Sequence, residues 1–199
     1  MELSFQSIIG GVAGTLSAVA YVLYIVSTVK GPTRPNRATW SILTLVGLII
    51  LMSYYNEGAR ETIWVPLAYV LGPLIITLFA IKYGEGGWKG LDKWCLTGAI
   101  AGALLWTISG SALLALLINI GVDFLALLPT IKKAYLRPEG EDRTAWALEA
   151  AASFINLAAV KPWTFSIWIY PVYLAVFNGL IAALLIYGRY KKKHKRLLV

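Results

Sequence analysis

Two stretches decide how this chain folds: PTRPNRATW, from Pro32 to Trp40, and PEGEDRTAW, from Pro138 to Trp146. Pro, Arg and Trp recur at the same offsets, 106 positions apart, with no gap between them. Each copy follows one long apolar stretch and precedes two more, and a single apolar stretch is left over in the middle. Repetition at a fixed spacing marks an internally duplicated fold, and duplicated membrane units are common in transporters.

The rest of the composition agrees with a membrane setting. Only 14% of the 199 residues are charged, and the mean hydropathy is +0.69. A helix of roughly 20 apolar residues can cross a bilayer. Seven such stretches are expected, at 8–29, 39–55, 62–82, 93–108, 111–132, 143–160 and 164–188. The segment Met1–Ser7 lacks the basic region of a signal peptide, so the first helix is expected to be retained. Cys95 is the single cysteine and His194 the single histidine, which offers neither a disulfide nor a metal site. No phosphate-binding glycine loop, nucleophile elbow or paired catalytic carboxylates occur, so no catalytic residue, cofactor or enzyme activity is expected.

Charge sets the expected orientation. With the C-terminus inside, the segments 30–38, 82–93, 132–143 and 189–199 hold 16 of the 18 Lys and Arg residues, and only Arg60 and Lys161 fall elsewhere. This asymmetry follows the positive-inside rule and predicts N-terminus out, C-terminus in and an odd number of spans. The net charge of +8 is thus read as topology and attraction to anionic lipid, with no nucleic-acid partner. The short loops fit a prokaryotic inner membrane, and a homo-oligomer is compatible with the sequence.

Aligning the two motifs matches the first three helices to the last three. Ile81-Lys-Tyr83-Gly84 and Leu185-Ile-Tyr187-Gly188 extend the agreement. The unpaired fourth helix must return the chain to its starting side, so the units enter the membrane in the same direction. The expected organisation is a first three-helix repeat at 1–84, a linker helix at 85–110, a second repeat at 111–190 and a basic cytoplasmic tail at 191–199. This all-α, 3+1+3 plan of two parallel repeats resembles the SWEET, SemiSWEET and PQ-loop transporter superfamily. The residues carrying the resemblance are Pro129, Thr130, the basic run to Arg137 and Pro138, then Arg143 and Trp146. PQ-loop members place Gln where this chain has Thr130, and the first repeat has Leu23-Tyr24 at the matching positions. The resemblance implies transport of a small polar solute, a sugar first, by alternating access hinged at prolines; Pro129 matches cleanly, and Pro73 is a second candidate.

Ionisable groups inside membrane helices are costly and therefore raise a functional question. Asp123 lies nine residues before Lys132, about 13 Å along a helix, and Asn119 shares its face. Glu149, Ser153 and Asn156 form a polar stripe on the sixth helix. Both faces are expected to meet inside the bundle. Asn119, Asp123, Asn156 and Asn178 are the candidate solute-binding residues. Asp123 and Glu149 are the candidate proton carriers, and replacing Asp123 by Asn is expected to abolish or uncouple transport. The resemblance assigns Asn178 a solute contact, while the matching region of the third helix is Gly72-Pro73. The plainer alternative is a satisfied polar cluster, or an Asp123 pair with Lys132. Trp40, Trp64, Trp88, Trp94, Trp146 and Trp163 are expected at the lipid interface. Trp106, Trp168, Tyr170 and Tyr173 could stack on a sugar ring, but lipid-facing or packing positions are the expectation. Gly10-xxx-Gly14 and Gly98-xxx-Gly102 are expected to allow close helix approach. A non-transporting receptor or an assembly scaffold of the same fold remains the rival reading.

Overall fold

The structure is a computed structural model that describes residues 4–86 and 90–197; within these, the side chains of 91, 92, 95, 99, 103, 106, 189 and 191–197 lie outside the description. The expectations for Trp88, Trp106, Cys95 and the tail's side chains therefore fall outside the described residues.

Seven α-helices follow one another: α1 (Phe5–Lys30), α2 (Arg37–Asn56), α3 (Trp64–Tyr83), α4 (Leu91–Ser109), α5 (Ala112–Leu136), α6 (Arg143–Leu157) and α7 (Phe165–Leu197). The repeated motif turns out to be a helix start. Asn36 and Asp142 occupy matching positions and cap α2 and α6. Their side-chain oxygens accept the amide N–H of Thr39 at 3.0 Å and of Ala145 at 2.8 Å, which satisfies donors that the first helical turn leaves unpaired. Ser4 and Ser111 do the same for α1 and α5. Gly31 ends α1 with φ +98°, a left-handed conformation that a side chain would strain. Arg37 reaches the far end of α3, donating from Nε to the Ala80 carbonyl at 2.9 Å, a cation where the helix exposes unpaired carbonyls.

Five helices (α1, α2, α3, α5 and the Phe165–Gly188 part of α7) are long and apolar enough to cross a membrane. α6 departs from expectation, because it stops at Leu157 rather than near 160. Its 15 residues rise only about 22 Å, less than a bilayer core of about 30 Å. The helical backbone of α7 continues to Leu197, past the expected end of the seventh span at 188. The outward surface is strongly apolar, with Val22, Leu78 and Ile81 more than half exposed. A surface of this kind is at home in lipid.

α3 packs against both α1 and α2, and α7 packs against both α5 and α6. Across the middle, α1 lies along α6 and α2 along α5, while α4 rests on α5. Lipid is as apolar as leucine, so these contacts depend on close fit. Gly10 and Gly14 supply it on α1, where an added Cβ would stand 1.8 Å from the Glu61 carbonyl oxygen and 2.5 Å from Trp64 Cβ. Gly98 and Gly102 do likewise between α4 and α5, against Val122 and Ile118. Both glycine pairs thus mark close contacts, as expected.

One face gathers the ends of the odd-numbered helices. Glu85, just past α3, exchanges backbone hydrogen bonds with Pro35 and Arg37 just past α1. The Arg34 amide donates to the Gly140 carbonyl past α5, and Gly188 of α7 packs on Pro138. This face carries Lys30, Arg34, Lys82, Lys133 and Arg137, and is called the basic face below.

Candidate functional site

Two buried carboxyl groups lie in the bundle, in separate settings. Asp123 of α5 accepts the Tyr69 hydroxyl of α3 at 2.8 Å and the Tyr173 hydroxyl of α7. Lys132 is not its partner; the helix rise that places Asp123 deep in the bundle leaves Lys132 exposed at the helix end. Tyr170 is fully buried and its ring touches those of Tyr54, Tyr69 and Tyr173. Of the lipid or packing positions expected for Tyr170 and Tyr173, both take packing: the Tyr173 hydroxyl meets the Asp123 carboxylate, while the Tyr170 hydroxyl is buried without a hydrogen bond. Asn119, one turn from Asp123, turns its amide nitrogen to the Ala115 carbonyl at 2.8 Å, leaving its side-chain oxygen buried without a hydrogen bond.

Glu149 of α6 is buried as well, rather than reaching the interface. Its Oε2 accepts the Ser17 hydroxyl of α1 at 2.7 Å, while Oε1 has no hydrogen-bond partner. Ser153 donates to the Glu149 carbonyl at 2.8 Å and accepts an amide N–H of Asn178 at 2.9 Å. Asn156, next along the stripe, is buried with neither side-chain polar atom bonded. The stripe therefore faces inward, but it meets α1 and α7 and not the polar face of α5. α7 packs against both α5 and α6, and the two acids have different hydrogen-bond partners, Tyr69 and Tyr173 for Asp123 and Ser17 for Glu149. Among the described residues, neither acid has an ion-pair partner.

A small cavity lies beside Glu149, with about 20 Å³ open to the centre of a water molecule, enough for one water. Glu149 and Asn178 line it, together with the aromatic residues Tyr21, Tyr24, Trp40, Tyr69 and Trp146. Asp123, Asn119 and Asn156 do not. Trp40 and Trp146 are 4% and 7% exposed, so these two motif tryptophans are cavity walls and not interfacial anchors. Each sits in the first turn after its cap, where a helix near the bundle axis turns that position inward. Trp64, Trp94 and Trp163 are exposed near helix ends, as expected.

Two residues of the cavity wall, Tyr24 and Trp146, are held by an acid that sequence reading missed. Glu141, in the turn after α5, is 2% exposed. Its carboxylate accepts the Tyr24 hydroxyl at 2.9 Å and the Trp146 indole N–H at 3.1 Å, and stands 3.0 Å from Lys133 Nζ. Lys133 also lies 3.1 Å from Glu85 and donates to the Arg34 carbonyl. One cluster thus ties the basic ends of α1, α3, α5 and α6. A wider cleft of about 280 Å³ opens beside it, lined by Asn36, Glu85, Thr130, Lys132, Lys133 and Arg137. Glu141 was hard to find because its segment, EGED, reads as solvated loop; its place in a repeated motif that also ends in a buried Trp was the available signal. Pro73 and Pro129, the expected hinges, both lie inside unbroken helices, and Pro129 reaches the cleft at the edge of this cluster.

Removing the Glu141 charge takes from Lys133 the more deeply buried of its two carboxylate partners and leaves only Glu85, which is unfavourable for a partly buried cation. Glu141→Gln is therefore expected to loosen the basic-face cluster. In a cysteine-free background carrying Ala145→Cys, a membrane-impermeant maleimide should label position 145 at least about tenfold faster when Glu141→Gln is added, the change expected for about 1.4 kcal/mol. Equal labelling rates would show that the cluster does not gate the cavity.

Fold and site together give an all-helical chain, consistent with a helical membrane protein, in which five helices are long and apolar enough to cross a membrane and aromatic rings wall a cavity beside a buried acid. Compared with known proteins, the chain matches no family model, no curated protein and no solved structure.

Proposed function

We propose that this chain is a small carrier of the SWEET and PQ-loop type, moving a small polar solute across a prokaryotic inner membrane by alternating access. In this reading all seven helices sit in the membrane, with the N-terminus outside and the basic face cytoplasmic. Residues 1–84 and 111–190 form two parallel three-helix units joined by the linker at 85–110. The packing of α3 and α7, each against both other helices of its unit, supports the duplication, as do the reciprocal contacts of α1 with α6 and α2 with α5.

The observation that carries the reading is the lining of the cavity. Trp40 and Trp146, Leu43 and Glu149, and Tyr21 and Leu127 all line it, and each pair is 106 positions apart. A pocket built from matching positions of two units lies on the axis relating them, where carriers with repeats place their solute. At this size the cavity holds no solute, so binding requires the Glu141–Lys133 cluster to release and the units to part. The 280 Å³ cleft would then be the cytoplasmic vestibule, with Pro129 as the hinge beside it and Pro73 its partner in α3.

Glu149 and Asn178 are the proposed solute contacts within the cavity. Asp123 acts through Tyr69, which it holds and which lines the same cavity. Asn119 and Asn156, with unbonded polar atoms, are the groups a wider, open cavity would reach. Proton coupling, if the carrier has it, falls to Glu149 first and Asp123 second. The sugar implied by the resemblance is the first solute to try.

Purified protein in proteoliposomes should take up one class from a labelled panel of sugars, amino acids, nucleosides and amines, with and without a proton gradient. Uptake of none by folded protein would move the reading to a non-transporting receptor or scaffold, which the small cavity volume favours.

A further inference from the structure

We infer that the solute of this cavity is a small organic ammonium ion, held between aromatic rings with its charge on Glu149. The inference rests on the carrier reading and narrows its solute class away from a sugar.

Glu149 is buried, has one oxygen on Ser17 and one without a partner, and faces no Lys or Arg among the residues lining the cavity. An isolated carboxylate at this depth is unfavourable until a proton or a cation compensates it. A bound ammonium supplies that missing charge and donates N–H bonds to the unpartnered oxygen. Asn178 adds to the same preference. One of its two amide N–H groups is held by Ser153, and its carbonyl oxygen adds an acceptor for a donor beside the one N–H that remains.

The remaining walls fit a cation's body and not a sugar's rim. Five aromatic residues line the cavity, and three of them have their polar tips turned to other partners. The Tyr24 hydroxyl and the Trp146 indole N–H go to Glu141, and the Tyr69 hydroxyl goes to Asp123. What these three offer inward is ring surface. Ring faces attract ammonium groups, more strongly once water is excluded. A hexose would bring five hydroxyls to a site with two polar groups free to answer, and each hydroxyl left unbonded opposes binding. Aromatic walls with a single acid are thus matched to one positive charge on a compact apolar frame.

The test uses full-length protein in lipid nanodiscs and three probes: phenethylammonium, the near-isosteric alcohol 2-phenylethanol, and glucose. Calorimetric titration is expected to show phenethylammonium binding at least about tenfold tighter than the alcohol, with no heat from glucose. In Glu149→Gln the two aromatic probes should bind alike, and in Glu149→Asp the preference should return in part. Equal binding of the two aromatic probes by wild-type protein, tighter binding of glucose, absence of binding by all three, or an undiminished preference in Glu149→Gln would each overturn the inference. The wild-type comparison stands even if a variant does not fold. Proteoliposome flux separates this failure from failure of the carrier reading. Glucose flux without ammonium binding removes the cation and keeps the carrier, whereas Glu149-dependent binding without flux keeps the cation site and removes the carrier.

Discussion

Glu149→Gln is expected to lower solute uptake roughly 30-fold or more, equivalent to about 2 kcal/mol, the lower end of what truncating a buried charged pair loses. Glutamine keeps the side-chain volume and an oxygen to accept the Ser17 hydroxyl, so the packing of α6 on α1 should survive. What the substitution removes is the charge beside the cavity and the ability to take up a proton there. Asp123→Asn makes the informative comparison. Asparagine still meets one tyrosine hydroxyl, and Asp123 lies outside the cavity, so its effect on uptake should be several-fold smaller. Uptake measured at matched reconstitution, with the folded fraction checked by size-exclusion profile, decides the matter. Wild-type flux in folded Glu149→Gln would remove Glu149 from the mechanism, and a deeper loss in Asp123→Asn would restore Asp123 as the principal acid.

The second large effect is on stability. Gly10→Ala places a Cβ 1.8 Å from the Glu61 carbonyl oxygen and 3.0 Å from its carbonyl carbon, both backbone atoms that cannot rotate away. α1 must then shift away from the start of α3. Overpacking of this kind costs about 1–3 kcal/mol, and here the shift also strains the Ser7–Glu61 hydrogen bond on the same turn. The thermal midpoint in detergent should fall by several degrees. Gly11→Ala, one residue on and with open space around the added carbon, should not lower it, since Ala favours the helix over Gly. Equal midpoints for the two variants would show that α1 and α3 are not in this close register. Gly72→Ala is a related case with a functional consequence, because its Cβ would meet the Tyr21 ring at 2.2 Å and push that ring toward the cavity it lines.

The position of Gly72 also explains an asymmetry between the units. It is the counterpart of Asn178 by the 106-residue spacing, and the missing amide leaves space that the Tyr21 ring fills. Likewise Glu149 faces the cavity opposite its counterpart Leu43. The polar character of the site thus comes from the second unit, and the first supplies aromatic and aliphatic wall. In the carrier proposed above, one polar and one apolar half would give a solute a defined orientation.

Much of this was legible in the chain itself. Apolar stretch length gave the seven helices, because a backbone in lipid must bond to itself. The doubled Pro, Arg and Trp pattern marked the starts of α2 and α6, since Asn36 and Asp142 act locally on amides three residues away. The polar stripe of Glu149, Ser153 and Asn156 was visible because helical periodicity puts those positions on one face. Tertiary structure alone decided what each face meets. Periodicity names a face but not its neighbour, so the two acids, expected together, belong to separate hydrogen-bonded groups, Asp123 with α3 and α7 and Glu149 with α1. It also decided the tryptophans. A Trp near a helix end satisfies its ring and its N–H equally well at a lipid interface or against a buried acceptor, and only Glu141, brought in from the following turn, draws Trp146 inside. Glu141 itself, a loop acid by sequence, became the tie between four segments because Lys133, Tyr24 and Trp146 converge on one point that no local rule specifies.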